Sequence, residues 1–296
     1  MSPAGLLIID KPSGITSHGV VANVRRALNT RKVGHAGTLD PMATGVLLLG
    51  VGRATRLLGH LALHDKAYTA TIRLGATTVT DDREGDVVAT ADPGMLARLS
   101  DAAIDEAVAD LTGDLMQVPT AVSAIKVDGK RAYDLVRSGA EVELRARAVH
   151  VARFAVQGVR RAPDAVDLDV EVACSTGTYV RALARDLGVA LGVGGHLTAL
   201  RRTRVGAWDE GMAVRLDDLM ADADPHRWLV SLDDAARRSF PVCVVADGRA
   251  DDIRHGRRIP WPGGDGIVAL YDESDHVLAL AERRGDEAAY LAVLAD

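Results

Sequence analysis

Hydrophobic and polar residues alternate in several stretches of the chain, with the period of a β-strand that buries one face. The clearest stretches are residues 68–74 and 166–172. Two continuous apolar runs, residues 5–9 and 46–51, predict strands without a polar face. Because alternating strands outnumber continuous ones, the pattern predicts an α+β protein with a mixed, largely antiparallel sheet flanked by helices.

Apolar residues recur at helical spacing in other parts of the chain. The stretches that we expect to form helices are residues 20–28, 55–63, 101–112 and 180–191. Ser17 is expected to cap the first of these helices. Residues 80–94 are polar and acidic and predict a loop.

The pattern changes near the C-terminus, where short apolar runs are broken by glycines. This change predicts a domain boundary near residue 233. A larger domain is expected over residues 1–232 and a small β-rich domain over residues 233–296, and the length of 296 residues also suggests about two domains. No basic n-region and no long apolar run occur, so we expect neither a signal peptide nor a membrane span. The two cysteines are too few for a disulfide framework, which favours the cytoplasm.

The net charge is −6, from 35 Lys+Arg and 41 Asp+Glu, and argues against a nucleic-acid partner at first sight. The charge is unevenly distributed, however. Residues 1–66 carry +5 and residues 116–216 carry +4, whereas residues 67–115 carry −7 and residues 217–296 carry −8. The two basic blocks can form a face for a polyanion. Random scatter of surface charge explains the same numbers, so charge alone decides nothing.

The glycine-rich stretch HAGTLDPMATG, residues 35–45, carries a single carboxylate, Asp40. Glycines let a backbone turn sharply and approach a ligand, and Pro41 biases Asp40 toward an extended conformation. A carboxylate on such a loop can act as a nucleophile or a base. On the residues alone, an Asp-Pro turn is the commoner explanation.

Two further residues are unusual for their positions. Arg181 is expected in the first turn of a helix, where a cation opposes the helix dipole at a cost of about 0.3–1 kcal/mol. It is either solvated or paired with an anion, such as Asp40 or a phosphate. Tyr68 falls on the apolar side of its strand, so it is either a core aromatic or the wall of a pocket.

Three other motifs have ordinary explanations. Residues 50–55, GVGRAT, lack the third glycine of a dinucleotide fingerprint, so we expect a plain turn. Cys174 is one residue too far from Arg181 for a cysteine phosphatase loop, and a small core residue is expected. His60 and His64 have no third ligand nearby in the sequence, so a metal site is not expected.

Six segments of the chain together resemble the TruB type of bacterial tRNA pseudouridine synthase, which acts on uridine 55 of the tRNA T-arm. In family order they are GLLIIDKPSGITSH, KVGHAGTLDPMATGVLLLGVGRATRL, DKAYTATIRLGATTVTDD, DLMQVPTAVSAIKVDGKRAYDLVRSG, CSTGTYVRALARDLG and GGHLTALRRTRVG. They run from about Gly5 to Gly206, over two-thirds of the chain.

The resemblance implies roles for particular residues. Asp40 is matched to the nucleophile that forms a covalent adduct with the target nucleotide, Tyr68 to the tyrosine that packs on the base, and Arg181 to the arginine that pairs with the nucleophile. The positions matched to substrate binding are Lys11, Pro12, His35, Tyr179 and Leu200, with Lys126, Lys130 and Arg131 in an RNA-facing insertion over residues 117–139. The sequence leaves open whether Asp40 attacks C6 or C1′ or removes a ribose proton.

The resemblance also implies the partners of the protein. We expect it to bind the T-arm stem-loop of tRNA on the two basic blocks and to need no cofactor and no metal. We further expect a monomer with no membrane association and no obligate protein partner. The small C-terminal domain is only loosely similar to a PUA-like domain, and Pro119-Thr120 replaces a frequent Pro-Pro of the family. A tRNA-binding folding factor with secondary catalysis is the alternative function.

Overall fold

The computed structural model describes residues 4–120, 126–127, 130–131 and 144–295. The chain forms two compact units. The first comprises Met1–Pro41, Gly45–Leu63 and Val205–Asp296, and the second comprises Met42–Thr44 and His64–Arg204. Most of the predicted insertion, residues 117–139, lies outside the described residues.

The N-terminal part of the first unit is built around a pair of antiparallel strands. Its elements are β1 (Gly5–Lys11), α1 (Ser17–Ala27), β2 (Val33–His35), β3 (Thr44–Val51), a 3-10 helix (Gly52–Leu57) and α2 (Leu58–Leu61). Strands β1 and β3 pair along their whole length. The predicted cap of α1 is wrong by one residue. Thr16 is the N-cap and accepts a hydrogen bond from the Gly19 amide, which leaves the Ser17 hydroxyl available for another contact.

The second unit contains the alternating strands. Its elements are β4 (Lys66–Leu74), β5 (Ala76–Thr78), β6 (Val87–Thr90), α3 (Pro93–Arg98), α4 (Asp101–Asp110), β7 (Gly113–Gln117), β8 (Lys126–Val127), β9 (Lys130–Arg131), β10 (Arg147–Ala162), β11 (Ala165–Cys174), α5 (Val180–Ala190) and β12 (Gly195–Val205). Five strands lie in the order β12-β4-β11-β10-β7, and the pairs β4/β11, β11/β10 and β10/β7 are antiparallel.

The loop predicted over residues 80–94 is wrong in part, because β6 and the start of α3 lie within it. Strand β6 pairs with β5 and exposes all four of its residues. A strand with two solvated faces shows no hydrophobic alternation, which explains why the pattern missed it.

The remainder of the first unit contains short strands and helices. They are β13 (Trp208–Asp209), a 3-10 helix (Glu210–Met212), β14 (Val214–Arg215), α6 (Leu216–Ala221), a second 3-10 helix (Pro225–Trp228), β15 (Val230–Ser231), α7 (Leu232–Ser239), β16 (Val242–Val244), α8 (Asp247–Arg254), β17 (Val268–Tyr271), β18 (Val277–Arg284) and β19 (Glu287–Val293). Strand β14 runs parallel to β1, and β16–β19 form a separate four-stranded sheet. The predicted class, a mixed and largely antiparallel sheet with helices and a β-rich C-terminal region, is confirmed.

One hydrophobic cluster of the first unit contains residues from both sides of position 233. Leu6 and Leu48 of the N-terminal strands belong to it together with Tyr271 and Leu280 of the C-terminal sheet. The domain boundary near residue 233 stays a prediction. In the part of the chain that the structure describes, no helix is long and apolar enough to span a membrane.

Candidate active site

Asp40 lies in the loop between β2 and β3, and the residue before it is held by a buried serine. The Ser17 hydroxyl accepts a hydrogen bond from the Leu39 amide at 2.8 Å and donates one to the Leu39 carbonyl at 3.0 Å. Ser17 is almost completely buried at the start of α1. This exchange satisfies both backbone groups of Leu39 and fixes the path of the chain immediately before Asp40.

The residue after Asp40 is held by a buried lysine and a glycine. The Lys11 ammonium, at the end of β1, donates hydrogen bonds to the carbonyls of Pro41 (3.1 Å) and Pro12 (3.0 Å). The Gly14 amide donates to the same Pro41 carbonyl at 2.8 Å. Lysine is rarely buried completely, yet Lys11 is 0% exposed. These contacts fix the backbone of the loop on both sides of Asp40.

The other members of the predicted site in the first unit lie at the ends of strands β1 and β2. Pro12 follows β1 and is exposed, and His35 ends β2 with its backbone opposite Leu49 of β3. Lys11 and Pro12 thus lie at the end of β1 and His35 at the end of β2, the strand before the Asp40 loop. In the first unit, these three residues therefore lie at the end of β1, which contacts the Asp40 loop through Lys11, and at the end of β2, which precedes that loop.

Arg181 lies in the first turn of α5 and is buried, so the solvated alternative is wrong. Its Nη1 donates to the Thr80 carbonyl at 2.9 Å and to Asp82 Oδ2 at 3.3 Å. Tyr179 is the N-cap residue of α5 and makes no side-chain cap hydrogen bond. A cation at this end of a helix opposes the dipole, and the Asp82 carboxylate offsets that cost.

Asp82 is a site residue that the sequence patterns did not single out. Its Oδ1 accepts hydrogen bonds from the Thr80 hydroxyl at 2.6 Å and from the Glu84 amide at 2.9 Å. The side chain is 3% exposed. It lies in residues 80–94, which were predicted to form an acidic loop. The sequence feature that pointed to such a residue was the expected need of Arg181 for a nearby anion. The implied contact between Arg181 and Asp40 stays a prediction.

Tyr68 and Leu200 lie on neighbouring strands of the second unit, β4 and β12. Tyr68 has its backbone opposite Val172 of β11, and its side chain is nearly buried, as is that of Leu200. Both environments suit a core residue and a pocket wall alike. Their roles toward a substrate therefore stay predictions.

The three basic residues of the predicted insertion lie in a short hairpin. The backbone of Lys126 pairs with Arg131, and Val127 pairs with Lys130, between β8 and β9. The rest of residues 121–143 lies outside the described part of the chain. Binding of RNA by these residues stays a prediction.

Cys174 does not have the properties of a phosphatase nucleophile. It is almost completely buried on β11, and burial raises the pKa of its thiol to about 11. A thiolate is required for nucleophilic attack, and the neutral thiol predominates at pH 7. The lysine opposite it on β4, Lys66, is also buried, and burial lowers the pKa of its ammonium to about 8. The structure supports the interpretation of Cys174 as a core residue.

Three family models together match most of the chain. The model described as TruB family pseudouridylate synthase (N terminal domain) matches residues 25–180. The tRNA pseudouridylate synthase B C-terminal domain matches residues 181–233, and tRNA Pseudouridine synthase II, C terminal, matches residues 240–295. These matches define the class of protein as a pseudouridylate synthase.

Curated relatives match over nearly their full length. A tRNA pseudouridine synthase B of Cutibacterium acnes is 55% identical over 94% of this chain and 92% of that protein. The protein of the same name from Rhodococcus jostii is 55% identical over 98% of this chain and 94% of its own length. The one from Corynebacterium diphtheriae is 50% identical over 99% of this chain and 97% of its own length. The chain belongs to the TruB family of pseudouridylate synthases.

A solved structure shares the fold. A chain in the crystal structure of a Cbf5-Nop10-Gar1 complex matches with a TM-score of 0.75 and 26% identity. The match covers 98% of this chain and 84% of that chain. It supports the assignment of the mixed sheet and its helices to this class of fold.

Proposed function

We propose that this chain converts uridine 55 in the T-loop of tRNA to pseudouridine, with Asp40 as the nucleophile. The observation that carries the proposal is the Asp40 loop, in which Leu39 and Pro41 are both held by buried side chains. The names of the curated relatives support tRNA as the substrate. Preorganised geometry of this kind lowers the barrier for attack because little rearrangement is needed.

The reaction exchanges one glycosidic bond for another. The N1–C1′ bond of the uridine breaks and a C5–C1′ bond forms, and the proton lost from C5 is balanced by a proton gained at N1. Asp40 forms a transient covalent adduct that allows the released base to rotate, and is regenerated when the adduct breaks. Arg181 pairs with Asp40 and keeps it ionised for attack. Tyr68 packs on the base and assists removal of the C5 proton.

The target uridine must leave the folded T-loop before it can react. Extrusion of a base costs a few kcal/mol, and we propose that His35 helps to displace the target base. The basic blocks, residues 1–66 and 116–216, hold the phosphates of the T-arm stem, with Lys126, Lys130 and Arg131 among the contacts. The affinity is therefore expected to fall as the salt concentration rises.

The remaining properties of the protein follow from the same proposal. We propose a catalytic domain over residues 1–232 and a small PUA-like domain over residues 233–296. We also propose a cytoplasmic monomer that acts without a metal, a cofactor or an obligate protein partner. Lys11, Pro12, Tyr179 and Leu200 complete the substrate pocket.

The test is to compare Asp40→Asn with wild type on an unmodified tRNA transcript. We expect the single-turnover rate of pseudouridine formation at position 55 to fall by at least about a thousandfold, because the nucleophile is lost. The Kd for the transcript should stay within about threefold. Asp105→Asn, an exposed change on α4, is the matched control and should turn over normally.

Two outcomes contradict the proposal. The first is equal turnover by wild type and Asp40→Asn, which shows that Asp40 is not the nucleophile. The second is an effect of the protein on tRNA folding that survives Asp40→Asn while no pseudouridine forms in either case. That outcome favours the tRNA-binding folding factor.

A further inference from the structure

The end of strand β7 and the residues that follow it are attached to helix α5. We define Gln117–Thr120, which immediately precede residue 121, as the anchor segment. The Gln117 side-chain amide donates to the Tyr179 carbonyl at 3.2 Å and accepts from the Tyr179 amide at 2.8 Å. Gln117 is 4% exposed, so both bonds are sheltered from water. This pair of bonds joins the end of β7 to the N-cap of α5.

A second attachment comes from Arg185, one helical turn after Arg181. Its Nη2 donates to the Val118 carbonyl at 2.8 Å. Its Nη1 lies 3.4 Å from Asp81 Oδ2, and its Nε donates to Asp186 at 2.8 Å. A single guanidinium therefore ties the anchor segment to the turn that precedes Asp82. Charge-assisted hydrogen bonds of this kind are stronger than those between neutral groups.

The third attachment is Thr120, whose side chain is completely buried. Its hydroxyl donates to the Thr80 carbonyl at 3.4 Å. The neighbouring residues Thr80 and Asp81 are thus contacted by the anchor segment, through Thr120, and by the helix, through Arg185. The Thr80 carbonyl also accepts from Arg181.

Asp81 occupies its position at two local costs. Its φ of +58° lies in the left-handed region, which is unfavourable for most residues other than glycine and less so for asparagine and aspartate. Burial also raises the pKa of its carboxyl, because the desolvation of the charge outweighs the attraction to Arg185. Costs of this kind tend to concentrate where a residue serves function rather than stability.

We propose that Asp81 and Arg185 are positioning residues that hold the anchor segment on α5 and thereby set the affinity for tRNA. The inference rests on the proposed function, in which the chain beyond residue 120 contacts RNA. When three attachments restrain the anchor segment before RNA binds, its residues lose less conformational entropy on binding. Neither residue touches the reacting atoms in this proposal.

The first measurement separates binding from turnover. Asp81→Asn and Arg185→Gln should each raise the KM and the Kd for a tRNA transcript about tenfold, with kcat within about threefold of wild type. Asparagine tolerates the left-handed backbone, so Asp81→Asn removes the charge without adding strain. The double variant should be less impaired than the product of the two single effects, because the two changes share the contact between Arg185 and Asp81, whereas the bond to Val118 is lost only with Arg185. Arg185→Lys, which keeps the charge, should recover part of the affinity.

The second measurement does not depend on activity. Hydrogen exchange of peptides covering residues 113–120 should be faster in both variants, whereas peptides from β11 should be unchanged. Arg257→Gln and Asp252→Asn break an exposed ion pair of α8 and its following turn and serve as the matched controls. They should change neither exchange nor affinity.

The outcomes distinguish the two proposals. If wild type binds the transcript but forms no pseudouridine, the proposed function fails. The Kd and hydrogen-exchange results then still test whether Asp81 and Arg185 hold the anchor segment and set the affinity for tRNA. If the variants melt at lower temperature but keep wild-type exchange over residues 113–120 and wild-type KM, Asp81 and Arg185 serve only stability and the inference is overturned.

Discussion

Arginine and carboxylate groups meet in two contrasting settings within the second unit. On the exposed side of β4 and β11, Arg73 makes two parallel hydrogen bonds to Asp167, at 2.7 and 2.8 Å. At the N-terminus of α5, Arg181 makes one longer contact to Asp82, at 3.3 Å. The side chains of the first pair are 45% and 19% exposed, and those of the second are 6% and 3% exposed.

The comparison indicates that burial, and not distance, decides how strongly the loss of one partner destabilises the fold. The well-formed exposed pair competes with water and contributes about 1 kcal/mol or less. The buried pair gains little net stability after desolvation, but the loss of one partner leaves a charge in a poorly solvated place. We therefore expect the exposed pairs on these strands, including Arg153 with Glu171, to tolerate substitution better than the group around Arg181.

The largest expected effect comes from breaking the buried pair. Asp82→Ala removes the carboxylate that faces Arg181 and the acceptor for Thr80 and the Glu84 amide. We expect the free energy of unfolding to fall by about 3 kcal/mol, measured by urea denaturation. Asp169→Ala, on the exposed strand face, should cost well under half as much. Equal losses from the two changes would contradict the role that we assign to burial.

Asp81, which precedes Asp82 in the chain, should respond to pH with the opposite sign to Asp167 of the exposed pair. Burial raises the pKa of Asp81 above its unfolded value, so its ionised form weakens the fold at neutral pH, and this penalty disappears as the pH falls through the folded pKa. Hydrogen bonding by Arg73 lowers the pKa of Asp167, so its contribution is present above the unfolded pKa and is lost as the pH falls through the folded pKa.

Asparagine substitutions test these signs. At pH 7, Asp81→Asn should be as stable as wild type or more stable, by up to about 1 kcal/mol, and Asp167→Asn should be less stable by a few tenths of a kcal/mol after allowance for solvent screening. The difference for Asp81→Asn should vanish toward pH 3, and the difference for Asp167→Asn should shrink as the pH falls. Denaturation series from pH 3 to pH 8 measure them, and a loss of stability in Asp81→Asn at pH 7 that grows with pH would contradict the sign.

The fold was predictable where one face of an element meets the core. The strands over residues 68–74 and 166–172 and the helix that begins at Val180 appear in the structure because burial imposes their period. Strand β6 and helix α8 were missed. All four residues of β6 are exposed, and α8 is short, with few of its residues apolar, so neither carries a readable period.

The sequence predicted the loop that carries Asp40, but it did not predict the residues that support the candidate site. The Asp40 loop was recognisable from its glycines and from the family resemblance. The supports Ser17, Asp82 and Gln117 act through hydrogen bonds to residues 22, 99 and 62 positions away in the chain. No local pattern encodes contacts of that range, because they depend on the tertiary path of the chain.

The smallest expected effect is the coupling within the exposed pair. A double-mutant cycle with Arg73→Gln and Asp167→Asn should give a coupling free energy below about 1 kcal/mol, because water and counterions compete with both groups. Raising the salt from about 0.1 M to about 1 M should reduce that coupling further, since the screening length falls from about 10 Å to about 3 Å. The cycle of Asp82→Ala with Arg181→Met should change much less with salt, because ions cannot approach a pair that is almost completely buried. A coupling of equal size and equal salt dependence in the two cycles would show that both pairs are solvated, and the distinction between the two settings would then fail.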